Sequence, residues 1–145
     1  MRVFSKLFIL LGVLIVAGCS AVSSEIKNYD TVYSMAGTNT AVVGIGVDKQ
    51  GIPFVSAKQI IIAPGQNIIF AGPDEFVIAF KNKKSPNRKI DNPSKDGVVR
   101  IQVPSKIFEQ REFVEEYRKT NQLKFSYGVI VNGKELDPDI LIRRH

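Results

Sequence analysis

Two hydrophobic patterns divide the chain. Near its start, Leu7–Val16 is an unbroken apolar stretch. From Ala41 onward, short apolar or alternating runs are separated by turn signals, which is the punctuation of β-structure. Ala41–Asp48 is apolar with Gly44 and Gly46, and Lys49-Gln50-Gly51 turns it. Phe54–Ala63 holds the β-branched run Ile60-Ile61-Ile62, and Pro64-Gly65 breaks it, with proline suited to the second turn position. Gln66–Ala71 follows, up to Gly72-Pro73-Asp74. Glu75–Lys81 puts Phe76, Ile78 and Phe80 on one face and Val77 and Ala79 on the other. In Val98–Val103, Val99, Ile101 and Val103 oppose Arg100 and Gln102. Leu123, Phe125, Tyr127, Val129 and Val131 share one face of Leu123–Val131, and Asn132-Gly133 then signals a tight turn. Ile140–Ile142 predicts a short last strand.

One segment departs from this pattern. Ser105–Asn121 is rich in Glu, Lys, Arg and Gln, and Phe113, Val114 and Tyr117 share a face at helical spacing. The spacing predicts a helix of about three turns, with Ser105 as its cap after Pro104. Its apolar face is expected to cover an open sandwich edge rather than to bind a partner. The fold class expected is mainly β: an antiparallel Greek-key β-sandwich with one crossover helix near 105–120. Residues 41–145 form that domain. Residues 19–40, rich in Ser, Thr, Asn and Ala, read as a tether, with Ile26, Tyr29, Val32 and Tyr33 able instead to pack as a first strand.

The first apolar stretch has a different meaning. Arg2 and Lys6 precede it, and the small residues Ala17 and Gly18 follow it before Cys19, the one cysteine of the chain. A positive start, a short apolar core and small residues at a cut site form a secretory signal. The stretch falls short of the roughly 20 residues that span a bilayer as a helix. Val16-Ala17-Gly18-Cys19 resembles the lipobox of bacterial lipoproteins. That resemblance implies a diacylglycerol on the Cys19 sulfur, cleavage between Gly18 and Cys19, and acylation of the new terminus. Residues 1–18 are then the lipoprotein signal peptide, and 19–40 a lipid-anchored tether. The alternative is an ordinary secretory signal that contains a cysteine. Among such lipoproteins of enterobacteria, an aspartate after the cysteine retains the protein in the inner membrane, a rule that varies between bacteria. Ser20 stands there, which points to the outer membrane, periplasmic face. One acyl chain binds marginally, but two or more hold stably.

Composition narrows the remaining choices. The chain has 145 residues, 20 basic against 14 acidic, and a formal charge of +6; losing Arg2 and Lys6 with the signal leaves about +4. Such a balance permits contact with anionic lipid, glycan or protein. Nucleic acid is not expected as a partner. An acylated Cys19 leaves no thiol, so the domain folds without a disulfide.

The turn Ile62-Ala63-Pro64-Gly65-Gln66 leading into Ile68, and the tail Tyr127–Ile142 with Leu136-Asp137-Pro138-Asp139-Ile140, resemble small bacterial proteins of cupredoxin-like fold. Immunoglobulin-like connectivity is the other form of sandwich expected. The resemblance does not carry blue-copper chemistry with it. A type-1 site needs two imidazoles and a thiolate, usually with an axial thioether. His145 is the one histidine, and Met35 the one methionine after the signal. No metal and no cofactor is expected. A histidine-centred hydrolase is not expected either, and the acidic pairs Asp137/Asp139 and Asp74/Glu75 read as turn residues. Calcium on Asp137 and Asp139 lacks the ligand spacing of a calcium loop.

The strongest candidate surface is the polar loop Lys81–Gly97, with Lys81, Lys83, Lys84, Arg88, Lys89 and Lys95 against Asp91 and Asp96. Such a loop attracts phosphate, anionic lipid or an acidic protein patch, or else keeps the sandwich soluble and its edge unpaired. The expected function is a non-catalytic outer-membrane lipoprotein acting as a structural or adaptor module, with a protein of the cell envelope as partner. The alternative is a periplasmic small-ligand or glycan-binding lipoprotein, in which Tyr29, Tyr33, Tyr117 and Tyr127 would stand in for the absent tryptophan.

Overall fold

The computed structural model of the chain describes residues 29–34 and 38–144. Cys19 and the signal, Met35 and His145 lie outside the described residues. Among the described residues, eleven strands form two facing sheets. In chain order they are β1 (Tyr29–Tyr33), β2 (Thr40–Val47), β3 (Pro53–Val55), β4 (Ala57–Ile62), β5 (Asn67–Ala71), β6 (Val77–Phe80), β7 (Asp91–Pro93), β8 (Val98–Gln102), β9 (Leu123–Val131), β10 (Lys134–Leu136) and β11 (Asp139–Ile142). The four-stranded sheet runs β3-β2-β5-β8. The seven-stranded sheet runs β1-β4-β11-β9-β6-β7, with β10 hairpinned onto β9. Among the described residues, no helix is long and apolar enough to cross a membrane.

The alternation read from the sequence is what closes the sandwich. Ala41, Val43, Ile45, Ile68, Phe70, Val99 and Ile101 of the smaller sheet face Ile60, Ile62, Ile78, Phe80, Leu123, Phe125, Tyr127, Val129, Ile140 and Ile142 of the larger. All are buried. Burying each large apolar side chain contributes roughly 1.5–3 kcal/mol. Phe70 meets Tyr127 edge-on across the gap, at 5.4 Å between ring centres.

The sheets are mixed, which corrects the expectation of an antiparallel sandwich. β1 and β11 both lie parallel to β4, and β2 lies parallel to β5. Hydrophobic alternation specifies which face a residue takes but not the direction of its neighbour. Parallel neighbours need a crossover connection. Here β3 and β4 supply it, leaving the smaller sheet and entering the larger before β5 returns. The expected strand Phe54–Ala63 is accordingly split at Ser56. Its amide donates to the Gly44 carbonyl, and its hydroxyl accepts from the Gly44 amide, both at 2.8 Å. Strands that switch sheets do so at such bends. The Phe54 ring lies over Gly46, where a Cβ would collide with it.

Tyr29–Tyr33, within the stretch read as a tether, form the edge strand β1, so the first-strand alternative is the one seen there. The crossover helix is also corrected. Instead of three turns capped by Ser105, there is a 3-10 turn at Ile107–Glu109 and a short helix α1 at Val114–Thr120. Neither has a side-chain cap, and Gln110 between them is extended, with φ −68° and ψ 133°. Packing dictates the break: Ile107, Phe108 and Phe113 are all buried. Phe108 stacks on Tyr117 at 3.8 Å, and Phe113 meets Phe125 at 5.3 Å. A single straight helix of this length presents one stripe, and these rings do not share one.

Candidate functional site

The loop Lys81–Gly97 is built more tightly than its polar sequence suggests. Asn82 and Lys83 both take left-handed backbone angles, φ 57° and 54°, and Lys84 donates its amide to the Lys81 carbonyl. This is a tight turn of the kind that hairpins use. Arg88 is left-handed as well, at φ 61°, an unusual state for a side chain of that size. Asparagines hold the loop in place. Asn87 donates to the Asn92 side-chain oxygen at 2.9 Å, and the Asn87 oxygen accepts from the Ser85 hydroxyl and the Lys89 amide. The buried Asn92 amide donates to the carbonyls of Ile78, Lys89 and Ile90. The stretch Asp91–Pro93 thereby pairs with β6 as β7.

The six basic residues of the loop separate into two groups. Lys81 bridges Asp137 at 2.5 Å and Glu135 at 3.3 Å. The hydrogen bond it donates to Asp137 is the main reason its pKa lies above the ordinary lysine value; desolvation opposes it and Glu135 adds to it. Lys84 binds Glu116 at 2.5 Å and the Lys124 carbonyl at 2.6 Å. Its ammonium sits over the rings of Phe125 and Phe113, at 4.7 and 5.8 Å. These two lysines therefore serve the fold. Lys83, Arg88, Lys89 and Lys95 are exposed and form no ion pair among the described residues.

Three concavities meet at residues 87–89. One, of about 510 Å³, lies between the edge strands of the two sheets, with Lys89, Asn92, Pro93, Lys95, Asp96 and Arg100 among its walls. A second, of about 680 Å³, is bounded by Asn87, Gln102, Pro104, Ser105 and Lys106. A third, of about 550 Å³, is lined by Arg88, Gln110, Arg111 and Glu112. The side-chain oxygen of Gln110, one of its lining residues, is buried without a hydrogen-bond partner among the described residues. Arg100, Lys106 and Arg111 thus extend the surface beyond the loop. They too form no ion pair among the described residues.

No protein-family model matches the chain, and no curated protein is similar to it. The chemistry of this surface is therefore read from its own geometry. It offers guanidinium and ammonium groups beside open grooves, with Asp96 and Glu112 as the acids lining them. Such a surface attracts anionic groups at short range in physiological salt.

The other sequence candidates fall elsewhere. Asp137 is held by Lys81. Asp139 is held by Lys124 at 2.8 Å and by the Ser126 hydroxyl at 2.7 Å. Both carboxylates are thus neutralised in place. Among the described residues, no group of three His, Cys, Asp or Glu side chains is arranged to hold a metal ion. Tyr127 is buried in the core, with no hydrogen-bond partner for its hydroxyl among the described residues. Burial first, and then the charge of Asp139, push its pKa far above the ordinary phenol range.

Proposed function

We propose that the protein is a non-catalytic lipoprotein of the outer membrane. It is anchored by lipid at Cys19, faces the periplasm, and serves as a structural or adaptor module of the cell envelope. The observation that carries the adaptor reading is the segregation of charge. Lys81 and Lys84 are neutralised by internal partners, whereas Arg88, Lys89, Lys95, Arg100, Lys106 and Arg111 converge on one side without ion pairs among the described residues. The anchoring reading rests on Val16-Ala17-Gly18-Cys19. A cupredoxin-like Greek key is the finer reading of the sandwich. The passage of β3 and β4 between the two sheets supports the cupredoxin-like part of that reading, within sheets that are mixed rather than antiparallel throughout.

Two experiments test this function. Cys19→Ser leaves the protein unacylated and uncleaved at Gly18; a lipidated Cys19→Ser protein removes the anchoring reading. Crosslinking in intact cells is expected to recover a defined envelope protein from the wild type. That capture is lost when Arg88, Lys89 and Arg100 are reversed in charge. Lys84 is left intact in this variant because its reversal would place a second carboxylate beside Glu116.

A second reading has one observation in its favour. Among the described residues the buried Gln110 oxygen lacks a donor, and Gln110, Arg88 and Arg111 line the same concavity. An acidic sugar would supply a hydroxyl to the amide and a carboxylate to the guanidinium groups. Titration with a uronic acid, read at the Gln110 side-chain resonances, decides it: shifts absent from Arg111→Ala support a glycan ligand, and no shift removes it.

A further inference from the structure

Among the described residues, β8 is the last strand of the smaller sheet, paired on one side with β5 and on the other with no named strand. In an antiparallel ladder, alternate residues direct their N–H and C=O to the partner. Val103 donates to Gln66 and accepts from Gly65, and Gly97 accepts from Gly72. Residues 97, 99, 101 and 103 therefore face β5. Val98, Arg100 and Gln102 turn their backbone groups to the outer edge. Val98 is already occupied there, exchanging both bonds with Lys95. Pro104, which has no N–H, ends the stretch on the other side. Arg100 and Gln102 are left presenting two N–H and two C=O groups along an open edge. The same two residues line the grooves of about 510 and 680 Å³. Lys89, Lys95, Arg100 and Lys106 border those grooves, with Asp96 as the acid among them.

We propose that this edge takes a short, extended, acidic segment of a partner protein as an added strand. The backbone of Arg100 and Gln102 supplies the hydrogen bonds, and the four cations read the acidic side chains. This inference rests on the adaptor reading and specifies its partner surface. Cations on an edge strand normally deter pairing with another copy. Here they do so too, because a second copy would bring the same charges to the same place. The repulsion that excludes self-association favours a segment of opposite sign. Main-chain bonds give affinity in strand addition, and side chains give specificity.

The test uses the full-length lipoprotein in detergent micelles and a synthetic peptide that alternates Glu with Thr. Amide hydrogen exchange at Arg100 and Gln102 is followed by NMR. Added peptide is expected to slow exchange at both amides, and Arg100→Glu with Lys106→Glu is expected to weaken binding by about tenfold or more. Both substitutions are at exposed positions, and circular dichroism confirms that the variant is folded. A version of the peptide with alternate backbone nitrogens methylated keeps its charge but loses its donors, and is expected not to protect the amides. Three results overturn the inference: no protection by the acidic peptide, equal binding by the methylated peptide, or equal occupancy by polyphosphate or anionic vesicles. Failure of the adaptor reading looks different. Peptide protection of Arg100 and Gln102 with no envelope protein captured in cells removes the adaptor and leaves the strand-binding edge. Capture of an envelope protein through another face, with no protection, does the reverse.

Discussion

Lys84 and Lys89 share one loop and one side-chain chemistry, and the fold uses them in opposite ways. Lys84 is half-buried, bonded to Glu116 and seated over two aromatic rings. Lys89 is exposed at the rim of a groove, with no ion-pair partner among the described residues. The distinction follows from where the acids stand. Glu116 comes from α1, Glu135 from β10 and Asp137 from the turn before β11, all on the side where β9 is packed. The β7–β8 side receives few acids and keeps its cations. A cation held in a network contributes to stability, whereas a solvated one remains available to a partner at little cost to the fold.

Substitutions that separate the two sides should therefore differ in kind. The largest effect is expected from Phe125→Ala, which empties the position beneath Lys84 and beside Phe113 and Phe80. It should lower the free energy of unfolding by about 3–5 kcal/mol, read as a shift in urea midpoint. Lys84→Ala should cost about 1–2 kcal/mol, since Glu116 and the Lys124 carbonyl lose a donor together. Tyr127→Phe should stabilise by about 1 kcal/mol, because it removes a buried hydroxyl that lacks a partner. Lys89→Ala with Lys95→Ala should change stability by less than about 0.5 kcal/mol, while weakening any acidic ligand. A large loss of stability in that double variant would break the comparison.

The packed side carries two groups whose titration is shifted on folding. Lys81 and Tyr127 both titrate above their ordinary values in the folded state. Their contributions are fully present below the unfolded pKa values, about 10 for each type, and are lost as pH rises toward the folded values. In the unfolded chain Tyr127 ionises first and draws the equilibrium toward unfolding. Stability against urea should therefore hold level with respect to these two groups up to about pH 10 and fall above it. Tyr127→Phe should soften that fall.

Much of this architecture was legible in the sequence, for a physical reason. Burial on one face imposes a period of two, so Leu123–Val131, the inward faces of β6 and β8, and the turn at Asn132-Gly133 could be read directly. Strand direction leaves no such mark, which is why the parallel pairs were not foreseen. β7 carries Asn92 and Pro93 in place of alternating apolar residues; a side-chain network specifies it, and such a network is tertiary. The split helix reflects two ring clusters that demand different faces. At the candidate site, the charge of the loop was plain, but its division was not. Lys81 and Lys84 find their acids far along the chain, and Arg100, Lys106 and Arg111 join from other elements. An outward arginine on a strand carries the same signature whether it meets solvent or a ligand.

The position of β11 has a consequence for the order of events in folding. This last strand in chain order lies between β4 and β9, with Asp139 opposite both Gln59 and Ser126. β4 therefore waits for a neighbour synthesised much later, and the larger sheet remains open until β11 inserts. Such distant pairing slows folding. Were the chain exported to the outer membrane, as its proposed anchoring requires, that delay would leave the larger sheet incomplete during passage. Closure of that sheet would then wait for β11, the last of the described strands to emerge.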